Sequence, residues 1–124
     1  MPKMVLIADD SSYVRRQIKT LLAQRRDVAV CGEAIDGLEA VEKAKAFKPD
    51  LVLLDLAMPR MNGAEAASVL KKTMPEIAII MFTMYGEDIG RYLTSVVGVD
   101  SVLSKTDGMT ALASAVDTAL ATRP

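Results

Sequence analysis

The chain has 124 residues, 51% of them hydrophobic, with 15 basic and 16 acidic residues and a formal net charge of −1. That length suits one domain with a full core, 1–124, and the charge balance argues against a nucleic-acid surface spread over it. There is no His and only one Cys, which excludes His-based metal sites, His general bases, catalytic triads, internal disulfides and Cys clusters for zinc.

In chain order, "KMVLIA" (3–8) is a short apolar run ending in Asp9-Asp10. "SSYVRRQIKTLLAQRR" then sets Val14, Ile18, Leu21 and Leu22 at helical spacing, with Ser11 or Ser12 as the N-cap. "VAVCGEA" (28–34) is a second apolar run, in which Cys31 reads as a buried small hydrophobe. "GLEAVEKAKAF" gives Leu38, Val41 and Phe47 as the core stripe of a helix. "LVLLD" (51–55) is the most apolar run and ends in a carboxylate. "GAEAASVLKKT" is a helix beginning after Asn62-Gly63, and "IAIIMF" (77–82) is the fourth run. "EDIGRYLTSVV" (87–97) opens with acidic residues, as a helix N-terminus favours, but Gly90 weakens it. "SVLS" (101–104) is the fifth run. "MTALASAVDTALA" closes the chain with Leu112, Val116 and Leu120 four apart. The eight Met residues are read as core filling.

Continuous apolar runs alternating with helices predict strands covered on both faces, hence a doubly wound α/β sheet with right-handed crossovers. Five β-α units are too few for an eight-fold barrel. No apolar run approaches ~20 residues and no signal peptide opens the chain, so a soluble cytoplasmic protein without a membrane span is expected.

In such sheets ligands bind outside the carboxyl ends of the strands. Those ends carry Asp9-Asp10, Asp55, Thr83 and Lys105. Singly, Asp9 or Asp10 reads as a helix cap, and Thr83 or Lys105 says little. Asp55 is different, because its following helix starts only near Gly63, too far to cap. Three carboxylates crowded together need a cation. Lys105 supplies one charge; a hard divalent ion with oxygen ligands, Mg²⁺, supplies the rest. A carboxylate beside Mg²⁺, an ammonium and a hydroxyl is a phosphoryl-transfer constellation with Asp55 as nucleophile.

"LIADDS", "LVLLDLAMPRMNG", "IIMFT" and "VLSK", in this order, resemble the receiver domain of bacterial two-component response regulators. The resemblance covers essentially the whole chain. It implies a flavodoxin-like five-stranded parallel sheet of order 2-1-3-4-5 with five flanking helices. It further implies that Asp55 accepts a phosphoryl group from a sensor histidine kinase or phosphotransfer protein. Asp10 would bind Mg²⁺ directly, Asp9 mainly through water, and Ala57 through its backbone carbonyl. Thr83 and Lys105 would contact the phosphoryl oxygens. The domain itself would bind no nucleic acid, and its enzymic chemistry would be limited to its own phosphorylation and dephosphorylation.

Two positions depart from the family pattern. Val102 stands where receivers often carry a Tyr or Phe that turns inward on activation; Val has fewer rotamers and no hydroxyl. Thr106 follows Lys105 where many receivers have Pro, and a cis peptide there costs about 2.5–4 kcal/mol. "FTMYGED" and "VLSKTDG" look most like receivers of LuxR/NarL-type regulators, so either a stand-alone receiver or one excised from a longer regulator is expected. Residues 84–105 and the last helix are the expected partner or dimer face, with the helix at about 87–97 the least stable element.

Three other readings stand beside this one. A phosphohydrolase of the haloacid dehalogenase type wants a second Asp at the position of Ala57. A receiver-fold interaction module not regulated by phosphorylation would fit Val102 but not the intact acidic set. A flavodoxin-like cofactor binder would need a Gly-rich phosphate loop after the first strand, which is missing.

Overall fold

The computed structural model describes residues 1–84 and 90–121. Five strands, β1 (Lys3–Ala8), β2 (Val28–Ala34), β3 (Leu51–Leu54), β4 (Ala78–Thr83) and β5 (Ser101–Ser104), form one parallel sheet of order β2-β1-β3-β4-β5. Helices α1 (Ser12–Ala23), α2 (Gly37–Phe47), α3 (Gly63–Thr73), α4 (Gly90–Tyr92) and α5 (Gly108–Ala121) connect and cover it. This is the expected flavodoxin-like order.

Burial follows the strand order. Every residue of the central strands β3 and β4 is buried, whereas β5 at one edge and the middle of β2 at the other are only partly covered. Successive side chains point to opposite faces. Val5 and Ile7 of β1 therefore join Ile18, Leu22, Leu112 and Val116 under α1 and α5. Leu6 and Ala8 join Ala40, Ala44, Ala66 and Leu70 under α2 and α3. Because both faces are covered, each strand reads as a continuous apolar run.

Several expectations are corrected at this level. Asp55 lies one residue past β3, and the fourth strand is shifted one residue to Ala78–Thr83, so Thr83 ends it opposite Ser104. The stripe that α2 buries is Ala40, Val41 and Ala44; Leu38 and Phe47 are 43% and 48% exposed. Small side chains let this helix lie close to the sheet. The Phe47 ring instead folds over Gly32 of the edge strand, where an added Cβ would meet it at 2.8 Å. Cys31 is only half-buried; the β1–β2 register slips between Val5 and Leu6, opposite it, and its thiol reaches the Val5 carbonyl.

The expected helix at 87–97 is covered by the described residues only from Gly90. There it is a single α turn, Gly90–Tyr92, passing into a π turn, Leu93–Val97. Leu93 is its one buried residue among those described. The hydroxyls of Thr94 and Ser95 bond back to the carbonyls of Gly90 and Arg91, competing with regular helix geometry.

No described peptide bond is cis, so the Lys105–Thr106 peptide is trans. Thr106 keeps an N–H that Pro would lack and donates it to Ser104 Oγ at 3.2 Å. Ser104 and Asp107 cap a short 3₁₀ turn that leads into α5. Among the described residues no helix is long and apolar enough to cross a membrane.

Candidate functional site

The carboxyl ends of β1, β3, β4 and β5 bring the expected residues to one edge of the sheet. Asp9 is fixed at every polar group. Its N–H donates to the Ala34 carbonyl at 3.0 Å, and its own carbonyl accepts from Arg15 Nη1 at 2.7 Å. Of its carboxylate oxygens, Oδ1 accepts the Ser11 N–H at 2.9 Å and Oδ2 meets Lys105 Nζ at 2.8 Å. The N-cap of α1 is Ser11, whose Oγ accepts from Val14. Capping therefore falls to neither Asp9 nor Asp10, and Asp10 is left exposed to solvent.

Asp55 is held from both sides. Its N–H continues the sheet pattern to the Ala8 carbonyl at 2.9 Å. Gly63, the first residue of α3, packs so closely that a Cβ there would lie 2.1 Å from the Asp55 carbonyl oxygen. Asn62 caps α3 in a reciprocal capping box with Glu65, so the Asp55 carboxylate is free of that duty. Only glycine allows this approach. The pair Asn62-Gly63 thus both caps α3 and seats the nucleophile candidate.

Carboxylate oxygens of Asp9, Asp10 and Asp55 all lie within 4.8 Å of one another. Asp9 and Asp55 are 2% and 6% exposed, and Thr83 is fully buried. Lys105 Nζ lies 3.4 Å from Asp55 Oδ2 and bridges the two buried carboxylates. Burial first, and the Asp9 charge second, raise the Asp55 pKa. Lys105 and a hydrogen bond from Thr83 oppose the rise without cancelling it. Burial alone would lower the Lys105 pKa, but its hydrogen bond to Asp9 and the charges of Asp55 and Asp9 outweigh that, and the net shift is upward. Three carboxylates against one ammonium leave an excess of negative charge, and every donor is oxygen. This fits a hard divalent cation. Ala57 is exposed in the loop after Asp55.

Three contributors escaped the sequence reading. Arg15 clamps the Asp9 carbonyl and is itself held by Glu33 of β2 at 2.9 Å. Asp36 caps α2 and pairs with Arg60 of the Asp55 loop at 2.7 Å. Gly37 packs against the Met61 carbonyl. Asp36 and Glu39 have capping-box spacing, so the cap was legible; partners 24 residues away were not.

Residues 5–117 match the family described as response regulator receiver domain. The Staphylococcus saprophyticus response regulator protein VraR is 42% identical over 116 residues, 94% of this chain and 56% of that protein. The chain thus spans about half the length of the curated relatives it matches. The response regulator domain of Thermotoga maritima CheB superposes with a TM-score of 0.89 at 30% identity, covering 100% of both chains. CheY in a complex with CheX, BeF₃ and Mg²⁺ from Borrelia burgdorferi gives 0.90 at 26% identity, over 97% of this chain and 90% of that one. Fold, acidic triad and match across nearly the whole length agree: the chain belongs to the receiver domains of bacterial response regulators, signalling modules whose chemistry is their own phosphorylation and dephosphorylation.

Proposed function

We propose that Asp55 is the phosphoacceptor and that Asp9, Asp10, Thr83, Lys105 and the Ala57 backbone carbonyl complete the site. The carrying observation is a buried carboxylate at the end of β3, in contact with Lys105 and clustered with Asp9 and Asp10. An Asp55 oxygen would attack phosphorus of a phosphohistidine on a histidine kinase or phosphotransfer protein. The O–P bond forms, the N–P bond breaks, and the electron pair stays on the imidazole. Lys105 favours the ionised form of Asp55 against burial and Asp9, and balances charge on the transferred oxygens. Thr83 supplies a hydroxyl donor from the fixed end of β4. Asp10 would hold Mg²⁺ directly, Asp9 through water, with Asp55 and the Ala57 carbonyl as further ligands. When bound, Mg²⁺ neutralises charge that Lys105 alone cannot.

The cytoplasm is the compartment this partner implies. The output or dimer face would be residues 84–105 and α5, where Met84, Tyr92 and Val96 are exposed large apolar side chains. Val102 favours a second reading, an interaction module without phosphorylation, since it packs as a partly buried core residue rather than an aromatic lever.

Acetyl phosphate with Mg²⁺ should add one phosphoryl mass to the intact chain, and Asp55→Asn should abolish the gain. Equal labelling of that variant would move the acceptor elsewhere. No labelling of the wild type, with a thermal midpoint indifferent to millimolar Mg²⁺, would favour the second reading.

A further inference from the structure

The loop between Asp55 and α3 carries Ala57 and is fastened at three points. At its far end Gly63 abuts the Asp55 carbonyl. Near its middle Gly37 donates its N–H to the Met61 carbonyl at 2.9 Å, and a Cβ on Gly37 would come within 2.2 Å of that oxygen. One residue before Met61, Arg60 holds φ +66°, the left-handed region that a side chain disfavours. Its guanidinium reaches Asp36 through Nε and Nη2, both at 2.7 Å. Asp36 is 4% exposed and spends its other oxygen on the Glu39 N–H at 2.8 Å. One buried carboxylate therefore fastens both the start of α2 and the strained turn of the loop.

We infer that the Asp36–Arg60 pair is a positioning latch that holds the loop carrying Ala57 in register with Asp55. The inference rests on the reading of Asp55 and its neighbours as a Mg²⁺-dependent phosphoacceptor site. Without the pair, Arg60 relaxes toward negative φ. That turn rotates the peptide planes on either side of it and draws the Met61 carbonyl away from Gly37. The loop then samples positions that no longer hold Ala57 at one place beside Asp55. Neither Asp36 nor Arg60 is placed in that cluster; both act through the backbone between them. The Asp36 carboxyl is held below its ordinary range, first by the Glu39 N–H and then by Arg60, which keeps the latch ionised across the neutral range.

Calorimetric titration with Mg²⁺ tests this on the full chain, with amide exchange of residues 56–62 measured in parallel. Asp36→Asn keeps an oxygen for the Glu39 N–H, so the cap survives while the ion pair is lost. Asp36→Asn and Arg60→Ala should each weaken Mg²⁺ binding by roughly 10-fold, the low end for residues that orient ligands, because Arg60 is half-exposed. The double variant should be no weaker than either single one, since each breaks the same link. Arg60→Gly should recover part of the loss, because glycine takes the left-handed turn unaided. Exchange at 56–62 should quicken in the same order in the metal-free protein.

Variants that bind Mg²⁺ like the wild type, or losses that add in the double variant, overturn the latch alone. Arg60→Gly as weak as Arg60→Ala overturns its link to the strained turn. A wild-type chain that binds no Mg²⁺ overturns both the latch and the functional reading beneath it.

Discussion

The two walls of the site are built on different terms. On the side of β1, β3, α2 and α3, the backbone around Asp9 and Asp55 is partnered at short range, and Gly37 and Gly63 leave no spare volume. On the side of β4, α4 and β5, Thr83 and Lys105 sit at the ends of strands whose connecting helix, in its described residues, is one α turn and one π turn. A single side chain, Leu93, anchors what is described of it. The acidic wall must not move, because ligand geometry fails with small displacements. On the proposed function the other wall would have to move cheaply, because a phosphoryl group can shift an equilibrium only by its differential affinity for the two states.

The largest expected effect breaks each wall at its anchor. Leu70 of α3 and Leu93 after α4 are both fully buried. Leu70→Ala should cost about 2–5 kcal/mol of global stability, the range for a buried Leu in a rigid core. Leu93→Ala should cost less globally and instead raise amide exchange across residues 90–97, since that segment can detach while the sheet persists. Urea unfolding and exchange on both variants check this. Equal global losses, with no local opening in Leu93→Ala, would make the walls alike.

The same contrast explains what the sequence disclosed. The five-unit alternation and the set Asp9, Asp10, Asp55, Thr83 and Lys105 were legible because they rest on local apolar runs and on residues at strand ends; the strand order came only with the resemblance to receiver domains. The α2 stripe was misread because hydrophobicity favours Leu38 and Phe47, whereas close approach to the sheet favours Ala40 and Ala44. The Arg15 clamp and the Asp36–Arg60 pair join distant elements, and no periodicity encodes such pairing. The π turn at Leu93–Val97 was not legible, because Gly90 and the weak helix formers Thr94, Ser95, Val96 and Val97 hint at a poor helix without distinguishing a π turn from an α turn.

Next in size is Gly63→Ala. A Cβ there would lie 2.1 Å from the Asp55 carbonyl oxygen and 2.9 Å from the Leu56 Cα, both backbone. Neither can swing aside, so α3 or the Asp55 loop must shift, at about 1–3 kcal/mol. Thermal unfolding should show the loss, and phosphorylation by acetyl phosphate should slow. A variant with unchanged midpoint and labelling rate would mean that the acidic wall is softer than its contacts imply.

A smaller effect, of opposite sign, comes from Asp55 itself. Its pKa is raised in the fold, chiefly by burial and then by Asp9. A carboxyl with a raised folded pKa contributes stability below its unfolded value, about 3.9, and that contribution is lost as pH rises through the folded value. At neutral pH the metal-free fold therefore carries an unfavourable charge. Asp55→Asn should raise the metal-free midpoint by a few degrees at pH 7, with the gain shrinking as pH falls below that window. Mg²⁺ should raise the wild-type midpoint more than that of the variant. A lower midpoint for Asp55→Asn without metal would show that Lys105 and Thr83 more than offset the repulsion.

The smallest effect sharpens the contrast most, because it concerns another glycine at the opposite wall. Gly90 opens the described part of α4, and among the described residues a Cβ there would meet only Val102, at 3.8 Å, an ordinary contact. No described backbone stands in the way, and glycine in a helix is disfavoured relative to alanine by roughly 0.5–1 kcal/mol. Gly90→Ala should therefore stabilise, where Gly63→Ala destabilises. The gain should be local, seen as slower amide exchange at residues 90–97, with little change in the global midpoint. It should also carry a functional cost: if α4 is the element that yields when Thr83 and Lys105 close on a phosphoryl group, stiffening it makes the move dearer. Beryllofluoride should then change exchange across 90–105 less in Gly90→Ala than in the wild type, while Asp55 still labels with acetyl phosphate. Thr83→Ala should blunt the same response from the other end, by removing the hydroxyl that couples β4 to the site. An undiminished response in Gly90→Ala, despite measurably slower exchange before the mimic is added, would place the moving element elsewhere than in α4.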